Sequence, residues 1–497
     1  MKIINLNSRS VTIELDSVKP YYNEKEYDVY LNGNLITKEK RNVFTIFDLE
    51  PNHDYKLFVQ EEISFHTPNE PWTLYLKDFN PYADGVNNDT AFLQSAIMAT
   101  PQGGTLIIDK GTYLVTSLYL KSNINIYLKK GAKILASIIR REYPIHPSYA
   151  NIGLWEGAEV NNFASTLNFV DTENVTVYGE GELDGQAENG DWYINHRVMN
   201  IAWRGHSIFM DRAKNINLIG LYVHNTQAWA IHPYMSDGIN FYNLSIKNNP
   251  KMPTTDGIDP DCSSNIEIKG CHFSVGDDCI AIKSGTYDLA LKYKKASSNI
   301  LIENNFMADG HGGVVFGSES SGGINNIVVR RCLFENTDRG LRIKTRRGRG
   351  NIGQIDNIVF DDIVMNNVLT PFVINSYYNM GPKGGHEEYV WTTKALPVDE
   401  YTPVLGAFHF SNMICNNVSI AAGVFFGLPE MPIKLVSFEN VIFTYNKGAE
   451  EGIPCMMEHP YKMQNAGIFC LNVSNLETKN VTFKGVSGKE IIKEWTK

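Results

Sequence analysis

Two adjacent carboxylates precede an apolar run in residues 276–285, which read GDDCIAIKSG. Neighbouring side chains in a regular strand point to opposite faces, so Asp277 and Asp278 can act together only at a bend. Two acids held that close repel each other, and the repulsion pushes one pKa upward. General acid–base catalysis uses such a difference, because one group donates a proton while another stays charged. The pair therefore predicts a catalytic site.

Three further stretches carry polar residues at places equivalent to this pair: TTDGIDPD (254–261), GHGG (310–313) and GLRIKTRRGRG (340–350). The first two contribute Asp256 and His311. The third contributes Arg342 and Lys344, which are two positions apart and so project from one face of a strand. Three acids stacked beside basic residues favour a functional site over a set of unrelated turn residues.

Other interpretations compete for several of these residues. Asp259 and Asp261 fit the pattern of turn residues, whose side chains accept backbone N–H groups. A histidine between glycines, such as His311, is often a turn residue, although the glycines also allow a ligand to approach closely. The basic run 346–349 fits a solvated edge as well as it fits a binding surface.

The elements that position these residues are short strands that repeat from about residue 104 onward. Each unit reads Asn-(Ile/Val)-x-(Ile/Val/Phe), as in NINLIG, NIEIKG and NIVVRR, and recurs at roughly 23 to 34 residues, within the range of solenoid proteins. Such short strands with Asn or Gly at the corners predict an all-β, right-handed parallel β-helix. Equivalent positions of successive coils then lie about 4.8 Å apart, so the polar motifs converge on one surface.

A separate unit is predicted for residues 1–70, with the β-helix domain occupying residues 71–497. Strand-like runs separated by turn residues indicate a small β-sandwich. The stretch DLEPNHDYKLFVQ, with Tyr55, resembles the corner of a fibronectin type III domain. Between the two units, Asn88 or Asp89 is expected to cap a helix that closes one end of the β-helix, with Phe92, Leu93, Ala96 and Ile97 on its buried face.

Composition excludes several classes of protein. The formal net charge of -10 argues against a general nucleic-acid binder. Seven cysteines without a CxxC pair argue against a disulfide framework or a zinc site and predict buried free thiols. No run of about 18 apolar residues suggests a membrane span. The first residues read as a strand, not as a signal peptide, so a cytoplasmic location is expected unless a leader was removed.

The set TTDGID, GDDCIAIKSG, GHGG and RIKT resembles the four signature motifs of glycoside hydrolase family 28, the polygalacturonases. The resemblance extends from about residue 77, and WAIHP (229–233), PFVINSYY (371–378) and GLPEMPIKLVSFENV (427–441) are similar to the bacterial exo-acting branch. One position departs from the pattern, because Thr254 stands where the family has Asn. An altered hydrogen bond near the catalytic base is expected there.

The resemblance implies an inverting hydrolase of α-1,4-linked galacturonic acid. Asp277 corresponds to the general acid, and Asp256 and Asp278 share the attacking water, which calls for a wide separation between acid and base. His311 supports the hydrogen bonds of the acid. The implied partner is oligo- or polygalacturonate, and no metal or other cofactor is implied.

Substrate contacts follow from the same resemblance. Arg342 and Lys344 are expected to bind the substrate carboxylate, the first as a fork and the second as a point charge. Further candidate contacts are Lys283, His232, Trp229, Tyr377 and His386. The long stretch 375–403 is expected to wall off one end of the cleft through His386, Tyr389 and Trp391, which favours release of single units from the non-reducing end. Alternatively, this stretch only packs on the flank of the β-helix.

Three other functions remain open at this point. A family member can act on rhamnogalacturonan or xylogalacturonan. A pectate lyase on the same scaffold would hold Ca²⁺ with acids such as Asp256, Asp259, Asp261, Asp277 and Asp278. A β-helix that binds uronides without catalysis is the third alternative, and the intact set of acids argues against it.

Overall fold

The computed structural model describes residues 1–380 and 386–496, and most of its elements are strands. The first strands are β1 (Lys2–Asn7), β2 (Ser10–Glu14), β3 (Tyr22–Leu31), β4 (Asn34–Arg41), β5 (Val43–Ile46), β6 (Asp54–Phe58), β7 (Glu62–His66), β8 (Thr73–Tyr75), β9 (Asp84–Asn88), β10 (Thr105–Ile108), β11 (Gly111–Val115), β12 (Leu118–Tyr119), β13 (Ile124–Leu128), β14 (Ala132–Ala136), β15 (Ile145–His146), β16 (Leu154–Trp155), β17 (Ala158–Glu159), β18 (Asn162–Phe163), β19 (Leu167–Val170), β20 (Glu173–Gly179), β21 (Glu182–Asp184) and β22 (Ile208–Asp211). They are followed by β23 (Lys214–Ile219), β24 (Tyr222–His224), β25 (Ile231–Tyr234), β26 (Asp237–Tyr242), β27 (Ser245–Lys247), β28 (Ser264–Lys269), β29 (His272–Ser274), β30 (Asp278–Ile282), β31 (Ser297–Glu303), β32 (Phe306–Asp309), β33 (Gly312–Gly317), β34 (Ile324–Arg330), β35 (Leu333–Glu335), β36 (Arg339–Lys344), β37 (Gln354–Asn366), β38 (Thr370–Asn375), β39 (Val404–Leu405), β40 (Ala407–Val418), β41 (Ala421–Phe426), β42 (Ile433–Tyr445), β43 (Ala466–Leu471), β44 (Val473–Lys484) and β45 (Ile491–Glu494). The helices are α1 (Thr90–Ala99), α2 (Tyr287–Tyr293) and α3 (Glu388–Trp391), with 3₁₀ turns at Leu76–Phe79, Arg140–Glu142, Ser148–Ala150 and Ala187–Asn189.

The strands after residue 100 stack in parallel ladders around one long apolar core. Two ladders run through a 23-stranded sheet, one from β10 and β13 to β42 and β44, the other from β11 and β14 to β37. A third ladder begins with β12, β19, β22 and β25 and continues with β30, β33, β36, β38, β41, β43 and β45. Between its two parts, Ile258 bridges Ile231 and Ile280. This long parallel sheet is consistent with the right-handed parallel β-helix that the repeats predict.

Asparagine at the corners of the coils has a clear physical role. Asn265, Asn299, Asn326 and Asn357 all have φ between 54° and 57°, a left-handed conformation that Asn tolerates better than most residues. Their side-chain amides also bond from coil to coil, with N–O distances of 3.3, 3.2 and 2.8 Å along the series. The repeated Asn therefore turns the chain and links neighbouring coils.

The N-terminal residues form two small antiparallel sheets, of order β1-β2-β5 and β4-β3-β6-β7. They enclose their own apolar cluster, which includes Val11, Phe44 and Leu57. Asn42 joins this unit to the β-helix by a hydrogen bond of 2.9 Å to Asn304. The likeness to fibronectin type III and the boundary at residue 70 stay predictions.

Helix α1 closes the first coil of the β-helix, because Leu93, Ala96 and Ile97 are buried in the main core. The side chain of Asn88 accepts the N–H of Thr90 at 2.9 Å, whereas Asp89 accepts the N–H groups of Tyr82 and Ala83 outside the helix. The side chain of Asn88, and not that of Asp89, therefore satisfies a backbone N–H group in the first turn of α1.

Two exclusions drawn from composition can be compared with the structure. All seven cysteines are buried and free, as predicted. Within residues 1–380 and 386–496, no helix has the length and apolar character needed to cross a membrane.

Phe372 provides a test of the core of the third ladder. Its ring is fully buried and its centroid lies 4.4 Å from that of Phe410 and 5.3 Å from that of Phe438. We expect Phe372→Ala to lower the free energy of unfolding by about 3–5 kcal/mol, because it leaves a cavity among large rings. Equilibrium urea unfolding measures this, with Phe58→Ala as control because Phe58 is 47% exposed. Equal losses in the two variants would contradict the packing described.

Candidate active site

The third ladder brings three carboxylates together. Asp277 lies at a bend and Asp278 is the first residue of β30, so the adjacent side chains leave the regular alternation of a strand. Asp256 precedes the bridging residue Ile258 on the coil before, and the N–H of Gly257 donates to the carbonyl of Asp278 at 3.0 Å. One oxygen from each of the three carboxylates lies within 4.8 Å of the others. The sequence correctly predicted this convergence.

Asp278 is a buried charge held by two cations from a later coil. Nζ of Lys344 donates to one carboxylate oxygen at 2.6 Å, and Nη1 of Arg342 donates to the other at 3.2 Å. Burial alone would raise the pKa of Asp278, but Lys344 and Arg342 hold it far below its usual value. The two cations therefore favour the ionised form of Asp278.

Asp256 has the opposite electrostatic environment. Its side chain is 4% exposed, and burial together with the charges of Asp259 and Asp277 raises its pKa well above the usual value. The pKa values of Asp256 and Asp278 are therefore shifted in opposite directions, so this pair of unequal acids differs from the adjacent pair that the sequence singled out. The wide separation of acid and base expected from the resemblance is not found, because the nearest oxygens of all three acids lie within 4.8 Å.

Thr254, which stands where the family has Asn, forms two hydrogen bonds near the acids. Its backbone N–H donates to Oδ2 of Asp277 at 3.0 Å, and its hydroxyl accepts from Nη2 of Arg204 at 2.9 Å. The φ of Thr254 is 59°, a left-handed conformation that is strained for a β-branched residue. Asn adopts it more easily, so Thr254 is held here by its neighbours.

His311 lies at the edge of the site with half of its side chain exposed. Nδ1 is 2.8 Å from Oδ2 of Asp338, and this hydrogen bond raises the pKa of the imidazole against the effect of burial. Its backbone N–H donates to the carbonyl of Asp277 at 2.9 Å. The following Gly312 is required because a Cβ there would lie 3.2 Å from Oδ1 of Asp278 and 2.4 Å from Val315.

Lys283 and Trp229 form the floor beside the acids. Nζ of Lys283 lies 3.3 Å from Asp259, 3.8 Å from Glu319 and 4.5 Å from the ring centre of Trp229. Burial opposes the charge of Lys283, but Asp259 and Glu319 keep its pKa above the usual value. Asp259 is therefore the partner of a buried cation, which corrects its interpretation as a turn residue.

Two candidate substrate contacts are enclosed in the protein, which contradicts a direct contact with substrate. His232 is fully buried, and its Nδ1 lies 3.1 Å from Nε2 of His206. Tyr377 is also fully buried and donates to the carbonyl of Gly427 at 3.0 Å. Its neighbour Tyr378 instead lines the cleft that contains the three carboxylates.

The expected wall residues lie away from the acids. His386 is 72% exposed and is hydrogen-bonded to Glu458, and the ring of Trp391 packs edge-on against His459. Tyr389 lines a neighbouring cavity of about 630 Å³ together with Tyr401. Residues 381–385 of the stretch 375–403 lie outside the described residues, and Tyr378 and Met380 are its contribution to the catalytic cleft.

The catalytic cleft encloses about 200 Å³. Besides the acids, His311, Lys283, Trp229, Arg342 and Lys344, its lining includes residues that the sequence did not single out: Glu156, Arg197, Glu319, Tyr378, Met380 and Met456. Glu156 and Gly157 have φ of 45° and 72° and form the two-residue turn between β16 and β17. A residue followed by Gly between short apolar runs is a hairpin signal, so this turn could have been found.

The basic run 346–349 is not a solvated edge, since Arg346, Arg347 and Arg349 are all buried. Arg347 forms two hydrogen bonds with Glu430, of 2.6 and 3.0 Å, and also donates to carbonyls in the segment 389–394. Arg349 donates to the hydroxyl of Ser318 at 2.9 Å. The run therefore fixes the loops around the cleft.

Comparison with known proteins agrees with this geometry. The sequence profile of glycosyl hydrolases family 28 matches residues 148–399, slightly more than half of the chain. The chain belongs to this family. A probable polygalacturonase of Vitis vinifera is 27% identical to this glycosyl hydrolase over 374 residues, which cover 74% of this chain and 73% of the relative. An endo-polygalacturonase of Pectobacterium carotovorum subsp. carotovorum is 27% identical over 302 residues, 58% and 72% of the two chains.

Two solved structures are similar to this chain and support the family 28 fold. The hyperthermoactive exopolygalacturonase of Thermotoga maritima is 26% identical, with a TM-score of 0.65 over 79% of this chain and 94% of that one. The family 28 exopolygalacturonase of Yersinia enterocolitica is 19% identical, with a TM-score of 0.71 over 99% and 97% of the two chains, and shows the fold alone.

Removing one cation tests the pairing around Asp278. We expect Lys344→Met to lower the free energy of unfolding by about 3 kcal/mol, the low end for breaking a buried pair, because Arg342 remains. Folding depresses the pKa of Asp278, so its stabilising effect is complete above about pH 4, the usual pKa of Asp, and is lost as the pH falls toward the depressed value. The difference in the free energy of unfolding between the wild type and Lys344→Met should therefore shrink as the pH falls.

Thermal unfolding of the wild type, Lys344→Met and Lys344→Arg at several pH values checks this expectation. Lys344→Arg keeps the cation and should retain most of the stability. A Lys344→Met protein that is as stable as Lys344→Arg at neutral pH would contradict the pairing.

Proposed function

We propose that this family 28 glycosidase hydrolyses α-1,4-linked galacturonic acid and removes single units from the non-reducing end of oligogalacturonides. The observation that supports it best is the trio of acids beside Arg342 and Lys344 in one small cleft. Acids supply the proton transfers of glycoside hydrolysis, and the basic pair matches a substrate that carries a carboxylate on each sugar.

The three acids take different roles in this proposal. Asp277, the acid that is only half-buried, gives a proton to the glycosidic oxygen, which leaves as the hydroxyl of the departing sugar. Asp278 is ionised and removes a proton from the water that attacks the anomeric carbon. Asp256, whose pKa is raised by burial and by the charges of Asp259 and Asp277, holds the same water. No group outside the chain is needed to balance these transfers.

The size of the cleft supports attack at a chain end. Its volume of about 200 Å³ is below the range of about 300–1,000 Å³ that is typical of pockets for larger ligands. Glu156 of the turn between β16 and β17, Tyr378 and Met456 line it and narrow the space around the acids. The similar proteins include both exo- and endo-acting polygalacturonases, so the cleft carries this part of the proposal.

The spacing of the acids also gives a reason to consider a calcium-dependent lyase. Three carboxylate oxygens within 4.8 Å of one another can hold a cation. However, Lys344 and Arg342 already neutralise Asp278, and their charges oppose a divalent ion nearby. Hydrolysis is therefore the better supported function, and a lyase is recognised by its unsaturated, ultraviolet-absorbing product and its loss of activity in chelator.

Asp277→Asn tests the assigned acid. The amide keeps the shape of the side chain and an acceptor for the N–H of Thr254, but it has no acidic proton to give. We expect turnover of oligogalacturonides to fall by about a hundredfold or more while the unfolding temperature stays near that of the wild type. Release of new reducing ends measures turnover, with Asp171→Asn as a control because Asp171 is 65% exposed. Nearly normal hydrolysis by Asp277→Asn would reject the assignment.

The products of polygalacturonate distinguish the two modes of attack. A cleft that admits one terminal unit should release galacturonic acid from the start of the reaction, with little loss of viscosity. Chromatography and viscometry of the same time course measure both quantities. Early oligomers of intermediate length with a rapid fall in viscosity would show internal cleavage and refute the proposal.

The same reaction reveals its stereochemistry. The family resemblance implies inversion, whereas the short distances between the acids are nearer to the spacing of about 5–5.5 Å found in retaining enzymes. We expect the β-anomer to appear first, because a water held by Asp256 and Asp278 attacks directly. Proton NMR of the first product decides between the two outcomes, and initial α-anomer would mean a covalent intermediate.

A further inference from the structure

The guanidinium of Arg342 has two side-chain partners of different chemistry. Its Nη1 donates to the carboxylate of Asp278 at 3.2 Å, and its Nη2 donates to the sulfur of Met456 at 3.0 Å. Met456 lines the catalytic cleft and is 42% exposed. None of the roles assigned above uses this sulfur, although it contacts the arginine that is expected to bind the substrate.

The two hydrogen bonds of Arg342 differ in strength. The carboxylate of Asp278 is a charged acceptor, whereas a thioether sulfur is a weak one. Hydrogen bonds between charged groups are roughly twice as strong as those between neutral groups. Nη2 is therefore the nitrogen of Arg342 that exchanges its partner more easily, and a carboxylate that enters the cleft is a better acceptor for it than the sulfur of Met456.

The backbone that carries Met456 is fixed to the β-helix. Arg339 donates to the carbonyls of Ile453 and Pro454 at 2.9 and 3.0 Å. The side-chain amide of Asn375 donates to the carbonyl of Met456 itself at 2.8 Å. These bonds hold the main chain beside the cleft, so an exchange of partner at Arg342 has to come from a turn of the Met456 side chain.

The side chain of Met456 has room to turn, unlike those of its neighbours. Cys455 and Met457 are 4% and 7% exposed, whereas Met456 is 42% exposed. Methionine is unbranched and has three rotatable bonds, so it adapts its shape at low cost. Met456 therefore combines a weak acceptor with a side chain that moves easily on a fixed backbone.

We propose that Met456 is a displaceable partner of Arg342 and helps to determine specificity. Its sulfur keeps Nη2 in place at the cleft and moves aside when the carboxylate of the substrate binds there. A neutral sugar offers only hydroxyl groups, which replace the sulfur with less gain in free energy. The inference rests on the proposed function, in which Arg342 binds the substrate carboxylate.

Two substitutions of similar size at position 456 test the displacement. Met456→Gln supplies an amide oxygen, a stronger acceptor than sulfur, and Met456→Leu supplies no acceptor. We expect KM for digalacturonate to increase in the order Met456→Leu, wild type, Met456→Gln. Met456→Gln should lie about tenfold above the wild type, because its amide competes with the substrate for a charged donor. The effect should fall on KM and not on kcat, since the carboxylate is bound equally in the ground state and the transition state.

Met98→Gln is the matched control for these variants. Met98 is 57% exposed on α1 and lies outside the cleft, so the same substitution there should not change KM. Unfolding temperatures of the three variants should stay near that of the wild type, because both methionines are exposed.

The movement of the side chain can also be observed directly by NMR of protein that is isotope-labelled at its methionine methyl groups. The signal that is missing from the spectrum of Met456→Leu belongs to Met456. In the wild type it should shift when galacturonate is added and stay in place when galactose is added, because only galacturonate carries a carboxylate.

The outcomes separate this inference from the proposed function. If the wild type hydrolyses digalacturonate but Met456→Gln and Met456→Leu change KM equally, the effect is one of shape, and the displacement is refuted while the proposed function stands. A Met456 signal that ignores galacturonate, or responds equally to galactose, also refutes the displacement. If the wild type releases no galacturonate from digalacturonate, the proposed function fails and the inference fails with it.

Discussion

The burial of one carboxylate, Asp278, is the constraint on which the rest of the site depends. Removing a carboxylate from water costs several kcal/mol, and the side chain of Asp278 is fully buried in the third ladder. Lys344 and Arg342 reach it from β36, where they stand opposite Gly317 and Val315 of the intervening strand β33. The charge therefore fixes the register of three coils at one point. It also holds both cations in fixed positions at the lining of the cleft.

The same principle extends beneath the cleft. Asp259, Lys283, Glu319 and Arg349 form a chain of buried charges, with N–O distances of 3.3, 3.8 and 3.5 Å along the series. Each charge stabilises the next, and none has freedom to turn toward solvent. Preorganised charges of this kind stabilise a developing charge without rearrangement during the reaction. The cleft thus has a rigid polar floor set into an apolar β-helix.

The sequence predicted the positions of those site residues that lie on the repeated coils. Because equivalent positions of successive coils stack, the motifs around Asp256, Asp278 and Arg342 had to converge, and they do. Segments inserted between coils do not stack in this way, so the repeats do not predict where their side chains lie. Nothing in the sequence distinguished the buried Tyr377 from its neighbour Tyr378 in the cleft, or indicated that Glu430 lies beside Arg347. The prediction that His232 contacts substrate was wrong, because its polar partner is His206 of the preceding coil.

The pair Arg347–Glu430 has a consequence for how this protein can diverge. It attaches the segment 386–403 to the scaffold, and both side chains are nearly inaccessible to solvent. Loss of either partner alone leaves an uncompensated buried charge, at a cost of about 3–5 kcal/mol. A lineage can therefore remodel this region only by changing both residues together or by passing through an unstable ancestor. The segment lies at the surface, yet a substitution at either of its two anchoring residues should cost as much as one in a protein core.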